Sequence, residues 1–169
     1  FLFSWMFPLI ALAIKITSKG PVFFKQLRSG KDNQEFYCYK FRTMKVNNQA
    51  NEIQATKEDE RITKVGRLLR KTSLDELPQF FNVLIGTMSV VGPRPHMVKH
   101  TAAYSAMIDK FMVRHFVQPG ITGLAQVRGY RGEIKSPKDM EMRVGADVWY
   151  IENWSFLLDL KLIFLTVFN

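Results

Sequence analysis

The chain has 169 residues, of which 47% are hydrophobic and 13% aromatic, and its formal net charge is +9. This length suits one compact domain with an apolar core, and the composition excludes a disordered chain. The excess of positive charge favours an anionic partner, such as a phosphate, an anionic lipid surface or a nucleic acid.

The first segment, residues 1–16, is almost entirely apolar and has Pro8 in its middle. A straight helix of this length spans roughly 24 Å, which is less than the ~30 Å hydrocarbon core of a bilayer. Pro8 removes a backbone hydrogen bond and therefore predicts a bend. A buried core helix fits these residues. A cleaved signal peptide is disfavoured, because the segment lacks a basic start and a small-residue cleavage site.

The next segment predicts a β-hairpin. Val22 to Arg28 and Glu35 to Arg42 are rich in aromatic and β-branched residues, and the residues between them, 29–33, have turn chemistry. Cys38 lies in the second strand. Because it is the only cysteine, an internal disulfide is excluded, and we expect a small packed side chain.

Several helices are expected after the hairpin. Residues 46–60 are polar and predict a mobile loop or a loosely held helix, whereas residues 61–71 alternate apolar and basic side chains at helical spacing. Their basic face is either solvated or in contact with anionic headgroups; it comprises Lys64, Arg67, Arg70 and Lys71. Residues 77–84 and 97–114 predict two more helices, residues 118–130 a loop or short strand, and residues 154–168 an apolar element at a membrane interface.

An adjacent carboxylate pair, Asp75 and Glu76, follows the basic helix. Ser73 and Glu76 have the spacing of a capping box, in which Glu76 would only cap a helix. In a second register Asp75 is the cap and Pro78 lies in the first turn. Both registers place the pair at a helix N-terminus, where anions are stabilised.

Basic residues near this pair are candidates for phosphate contacts, because the guanidinium group binds phosphate through a planar fork of donors. Arg94 is the strongest, since Pro93 and Pro95 fix the backbone on both sides. Surface salt bridges are the alternative role for each candidate. The remaining candidates are Arg61, Lys40, Arg42 and Arg114.

Several ordered motifs resemble those of the bacterial sugar transferases, the monotopic phosphoglycosyl transferases that move a phospho-sugar from a nucleotide sugar to a polyprenyl phosphate. The resemblance covers almost the whole chain. It lies in the segments GPVFF (20–24), KFRTM (40–44), DERITKVGR (59–67), SLDELPQ (73–79), VGPRP (91–95), QPGITGLAQ (118–126) and NWS (153–155).

The resemblance implies the chemistry. Asp75 attacks the phosphate nearer the sugar in a UDP-sugar and expels UMP, and the polyprenyl phosphate then takes the phospho-sugar from the carboxylate. Glu76 helps to bind Mg²⁺, which together with the arginines neutralises the reacting anions. Asp159 is a further residue that could lie near the site, although a helix-surface role fits it better. Residues 118–123 either shape the nucleotide or sugar pocket or form a structural turn.

The resemblance also implies an α+β fold: a small β-hairpin with several helices, a proline-bent re-entrant membrane helix over residues 1–19, and interfacial amphipathic helices within a catalytic domain over 20–169. The expected place is the cytoplasmic face of a bacterial inner membrane, with anionic lipids as partners and no nucleic acid. The family typically begins the membrane segment with a basic pair and an acidic residue; this chain starts after that point, so it is expected to be truncated or to lack an upstream region. The oligomeric state stays open, with a homodimer as one option.

Two other functions fit parts of the sequence. The aromatic and charged strand over residues 35–41 would suit a basic nucleic-acid-binding module. The apolar first segment would suit a membrane scaffold without chemistry. The apolar first segment and the acidic pair fit the nucleic-acid-binding module poorly.

Overall fold

The computed structural model describes residues 2–46, 59–132, 134 and 136–168. The predicted loop or loose helix at 46–60 lies almost entirely outside these residues. The fold class is α+β, as predicted: the described residues form seven α-helices and two small two-stranded sheets.

The strands are short and the helices vary widely in length. The helices are α1 (Leu2–Thr17), α2 (Lys64–Lys71), α3 (Gln79–Leu84), α4 (Val98–Ser105), α5 (Leu124–Val127), α6 (Pro137–Glu152) and α7 (Phe156–Phe168). The strands are β1 (Phe23–Ser29), β2 (Glu35–Phe41), β3 (Ser89–Val91) and β4 (Gly120–Thr122). Short 3₁₀ turns cover Lys31–Asn33, Leu74–Glu76 and Phe111–His115.

The β-hairpin prediction is confirmed, because β1 pairs with β2. Asp32 and Asn33 adopt positive φ angles of 52° and 57° in the connecting turn. Asparagine and aspartate tolerate this left-handed conformation better than most residues, which is why they suit the turn.

The described residues fall into two compact units. The first unit comprises those of 1–26 and 38–79. Its apolar core contains Ile14, Phe41 and Leu69, with Phe7 and Ile10 packed at its edge. One face of α1 therefore packs on protein. The opposite face leaves large apolar side chains exposed: Trp5, Leu9, Leu12 and Ile16.

α1 is continuous through Pro8. Within the described part of the chain, we find no helix with both the length and the apolar character needed to cross a bilayer. The re-entrant course of α1 stays a prediction, as does the boundary between residues 19 and 20.

The second unit comprises the described residues of 27–37 and 80–169. β3 and β4 pair in parallel, with Ser89 opposite Gly120 and Val91 opposite Thr122. Two apolar clusters surround α6; Tyr150 and Leu162 belong to one, and Met140 and Phe111 to the other. Apart from Leu162, most of α7 is exposed and apolar. The exposed residues include Phe156, Leu157, Phe164, Val167 and Phe168.

Two helix predictions need correction. A single helix over residues 97–114 is wrong: α4 ends at Ser105, and Lys110 has a positive φ of 62° before the 3₁₀ turn begins. The sequence analysis missed α6 entirely. Its signal is local, because Ser136 and Asp139 form a reciprocal capping box in front of the helix and Pro137 occupies its first turn.

Candidate active site

Asp75 and Glu76 lie in the first unit, in the 3₁₀ turn Leu74–Glu76 between α2 and α3. Asp75 is buried, with 8% of its surface exposed. The capping-box prediction is wrong. Ser73 adopts a left-handed conformation with φ of 57°, and its side chain makes no capping hydrogen bond. Ser73 and Glu76 therefore do not form a capping box.

The partner of Glu76 is Lys40, which lies on β2. The Lys40 Nζ donates to Glu76 Oε1 at 2.7 Å, and the two side chains keep 18% and 16% of their surface exposed. The structure thus brings two of the predicted site residues, Lys40 and Glu76, into contact, and Asp75, Arg42 and Arg61 lie in the same unit. The pair is partly exposed, so a ligand can reach it from solvent.

Arg70 is a charged residue of this candidate site, predicted from the sequence to lie on a basic helix face that is either solvated or in contact with anionic headgroups. Its Nε donates to Thr43 Oγ1 at 2.9 Å. Burial lowers the pKa of the guanidinium from its ordinary value, and the nearby carboxylates, Asp75 first, oppose that change. Arg70 therefore places a partly buried positive charge beside the acidic pair.

The backbone of α2 at Gly66 packs closely against the backbone of Thr43, and this contact determines which face of α2 points into the unit. A side-chain carbon at Gly66 would lie 1.9 Å from the Thr43 carbonyl oxygen, so only glycine fits there. Thr63 caps the helix, because its side chain accepts from Gly66 N at 2.9 Å. In this orientation Leu68, predicted on the apolar face, is 60% exposed, whereas Arg70 points inward.

Arg61 is held by a neighbouring carboxylate. Its Nε and Nη2 donate to Asp59 Oδ1 and Oδ2 at 2.9 and 2.6 Å. This bidentate pair lowers the pKa of Asp59 to about 2, chiefly through the side-chain hydrogen bonds from Arg61. The side chain of Arg61 is 21% exposed.

Arg42 is engaged with the backbone that follows α1. Its guanidinium donates to the carbonyl oxygens of Pro21 at 2.5 Å, Lys19 at 2.7 Å and Ser18 at 2.9 Å. Only 6% of its surface is exposed. These contacts tie the chain after α1 to the end of β2.

Arg94 and Arg114 belong to the second unit. Arg114 Nη2 donates to Asp147 Oδ2 at 2.5 Å and to the Arg94 carbonyl oxygen at 3.0 Å. The side chains of Arg114 and Asp147 are 2% and 3% exposed. The charge of Arg114 is thus neutralised inside the fold, where it supports the backbone of the Pro93–Pro95 segment.

The motif over residues 118–123 forms part of the same support. β4 lies so close to the Gly92 backbone that a side-chain carbon at Gly120 would meet Gly92 N at 2.1 Å. One at Gly123 would meet the Gly92 carbonyl oxygen at 2.2 Å. The Gly120 N also donates to the Pro93 carbonyl oxygen at 2.9 Å. These glycines favour the structural-turn interpretation of the motif.

Asp159 serves the packing of α7. It accepts from the Tyr150 hydroxyl at 2.8 Å and from Trp154 Nε1 at 3.1 Å. These bonds link the start of α7 to α6 and favour the helix-surface role over a place in the site.

The donor set of the first unit fits a magnesium ion. Among the described residues there is no group of three or more His, Cys, Asp or Glu side chains that could hold a metal. Mg²⁺ at phosphate-transfer sites needs only one or two carboxylates, because water and substrate phosphates supply the other oxygens. Asp75 and Glu76 supply ligands of this kind, with Glu76 the more exposed.

Comparison with known proteins agrees with the motifs. The profile of the bacterial sugar transferase family matches residues 1–169. The UDP-glucose:undecaprenyl-phosphate glucose-1-phosphate transferases of Klebsiella pneumoniae and Escherichia coli are 59% and 55% identical to this chain, each over 95% of it and 35% of their own length. The Xanthomonas campestris protein of the same name is 52% identical over 93% of this chain and 33% of its own length. The chain thus spans about a third of these relatives, and it belongs to the bacterial sugar transferase family.

Proposed function

We propose that this chain transfers a sugar-1-phosphate from a UDP-sugar to undecaprenyl phosphate, releasing UMP, as the membrane step that begins a bacterial polysaccharide. The carrying observation is the acidic pair Asp75–Glu76 surrounded by the basic side chains of Lys40 and Arg70, within a chain of this family. The names of the three relatives make UDP-glucose the first donor to test.

In the first step an oxygen of the Asp75 carboxylate forms a bond to the phosphorus nearer the sugar. The bond from that phosphorus to the bridging oxygen breaks, and UMP leaves with the electron pair. In the second step an oxygen of undecaprenyl phosphate attacks the same phosphorus and releases the Asp75 carboxylate. Two successive displacements let one site serve two unlike substrates.

The basic residues divide into three roles under this proposal. Arg70, Lys40 and Arg61 supply positive charge around the acidic pair, where a negatively charged nucleophile must approach a negatively charged phosphate. Arg94 contacts a substrate phosphate. Arg42 and Arg114, whose donors are used by backbone carbonyls and by Asp147, act by positioning.

Mg²⁺ is the proposed cofactor, with Glu76 as its principal ligand and Asp75 beside it. When bound, it neutralises phosphate charge and so lowers the repulsion between nucleophile and substrate.

The exposed apolar faces of α1 and α7 support a place at the membrane surface, where the lipid-linked acceptor is anchored. We propose that α1 enters the bilayer and returns to the cytoplasmic side, near anionic lipids. Lys15, Lys19 and Lys25 favour that side. Single-cysteine variants at Phe1 and Lys19, with Cys38 replaced, are to be labelled in spheroplasts by an impermeant reagent. Both should stay unlabelled, and periplasmic labelling at Phe1 would rule out the re-entrant course.

The function is tested by supplying purified protein with undecaprenyl phosphate, Mg²⁺ and a panel of UDP-sugars, and measuring UMP. We expect UMP release with UDP-glucose, and at least 1,000-fold slower release for Asp75→Asn, because an amide cannot act as an anionic nucleophile. A matched control is Asp109→Asn, which removes the same charge elsewhere. If no UDP-sugar on the panel yields UMP, the proposal is wrong, and the scaffold and nucleic-acid-binding functions become the better explanations.

A further inference from the structure

The acidic pair lies among basic side chains. Arg70 interacts electrostatically with the carboxylates of Asp75, Asp59 and Glu76 and with the guanidinium of Arg61. Lys40 adds a further positive charge through its bond to Glu76. A divalent cation that binds Glu76 therefore has to compete with positive charge already present.

Among these basic side chains, Lys40 contacts the carboxylate oxygen of Glu76 to which a cation would bind. Its ammonium lies 2.7 Å from Glu76 Oε1, the carboxylate best placed to bind Mg²⁺. The ammonium is a compact point charge on a flexible stem, so it can leave without disturbing β2. Arg70 and Arg61 are instead fixed by Thr43 and by the bidentate Asp59 pair.

We propose that Lys40 is an internal counter-ion that occupies Glu76 until a divalent cation displaces it. This inference rests on the proposed function. Before the cation binds, Lys40 limits the repulsion between the adjacent carboxylates of Asp75 and Glu76. When the cation binds to Glu76, the ammonium is released beside the site and becomes available to neutralise the diphosphate of the donor.

This exchange couples cation binding to donor binding. A cation alone must break the Lys40–Glu76 pair and adds to the positive charge already present, so its affinity is weak. A nucleotide sugar that arrives with the cation brings negative charge for the released ammonium. Removing the ammonium should therefore strengthen the binding of the cation alone and weaken the benefit from the donor.

The experiment measures Mn²⁺ binding by electron paramagnetic resonance, without nucleotide sugar, on the whole chain in a zwitterionic detergent that contributes no anionic lipid. Mn²⁺ prefers the same oxygen ligands as Mg²⁺. Lys40→Met should bind Mn²⁺ roughly three- to tenfold more tightly than wild type, as expected for loss of a partly exposed competing pair. Lys40→Arg, which restores the competing charge, should return to the wild-type Kd or exceed it.

Two controls locate the effect. Lys71→Met removes the same charge from an exposed position at the end of α2 and should leave the Kd within about twofold of wild type. Glu76→Gln should abolish the gain when combined with Lys40→Met. Lys40→Gln repeats the test if the methionine variant does not fold.

An unchanged or weaker Mn²⁺ affinity in both Lys40→Met and Lys40→Gln overturns the inference, as does an equal gain in Lys71→Met. UMP release by wild type is measured on the same preparations. If the Mn²⁺ Kd does not shift but wild type still releases UMP, only the counter-ion role of Lys40 is rejected. An affinity shift without UMP release for any donor removes the proposed function.

Discussion

Ion pairs between basic and acidic side chains differ in their exposure between the two units. In the second unit, Arg114 and Asp147 are 2% and 3% exposed and pair inside the fold. In the first unit, Lys40 with Glu76 and Arg61 with Asp59 keep between 9% and 21% of their side-chain surface exposed. A buried pair is expensive to break, because one partner is left as an uncompensated charge, whereas a ligand can reach a partly exposed pair from solvent. The exposure of an arginine thus says more about its role than its place in a motif.

The largest expected effect comes from breaking the buried pair. Asp147→Asn leaves the Arg114 guanidinium buried without its counter-charge, so we expect the free energy of unfolding to fall by about 3–5 kcal/mol. Urea denaturation followed by circular dichroism measures this loss. Asp59→Asn is the matched change in the first unit and should cost far less; equal losses would remove the distinction between the two pairs.

His115 offers a test of the same buried region by pH. Burial, assisted by the charge of Arg114, lowers the pKa of His115 from 6.5 to about 4. His115 is therefore protonated below about pH 6.5 in the unfolded chain, but only below about pH 4 in the folded protein. The contribution of neutral His115 to the free energy of unfolding is fully present above pH 6.5 and is lost as the pH falls towards 4. At 1.36 kcal/mol per pKa unit, this loss amounts to up to about 3 kcal/mol.

The contribution of His115 is obtained as the difference between wild type and His115→Phe in urea denaturation at pH 7 and pH 4.5. The phenylalanine variant should lose less stability on acidification. An identical pH dependence in wild type and His115→Phe would contradict the assignment.

The third effect concerns rate rather than stability. Arg70→Gln removes positive charge beside the acidic pair, and we expect kcat to fall about 10- to 100-fold, or roughly 1.4–2.7 kcal/mol of barrier. Arg67→Gln is the control, because Arg67 lies on the same helix and is exposed. UMP release measures both. Equal rates in the two variants would return Arg70 to the basic helix face on which the sequence analysis placed it.

The smallest effect concerns Glu76. Because its pair with Lys40 is partly exposed, Glu76→Gln should lower the free energy of unfolding by less than about 1 kcal/mol while weakening the dependence of UMP release on Mg²⁺. Thermal unfolding and a Mg²⁺ titration are measured together. A loss of stability without any change in the Mg²⁺ titration would mean that Glu76 serves only the fold.

The sequence predicted those parts of the fold that local chemistry decides. The β-hairpin follows from its β-branched and aromatic strands and from Asp32 and Asn33 in the turn, and α2 follows from its apolar spacing. α6 was within reach of the same reasoning, because Ser136, Pro137 and Asp139 form a local helix start. The capping box at Ser73 failed because a left-handed φ at that residue overrides its spacing to Glu76.

The sequence named candidate site residues but not their partners. Motif resemblance made Asp75 and Glu76 candidates, and the structure places Lys40 against Glu76. The inward face of Arg70 depends on the contact of Gly66 with Thr43, more than 20 residues earlier in the chain. The pairing of Arg114 with Asp147 crosses 33 residues and depends on the packing of α6. Sequence spacing does not encode such tertiary contacts.

The central claim is that Asp75 forms a covalent bond to the phospho-sugar. The direct measurement is mass spectrometry of the intact protein after brief incubation with the productive UDP-sugar and Mg²⁺, without undecaprenyl phosphate, followed by peptide mapping. The account predicts a mass increase equal to one sugar phosphate on Asp75, lost on addition of undecaprenyl phosphate and missing in Asp75→Asn. An adduct on another residue, or UMP release with acceptor present but no adduct at any time, would contradict it.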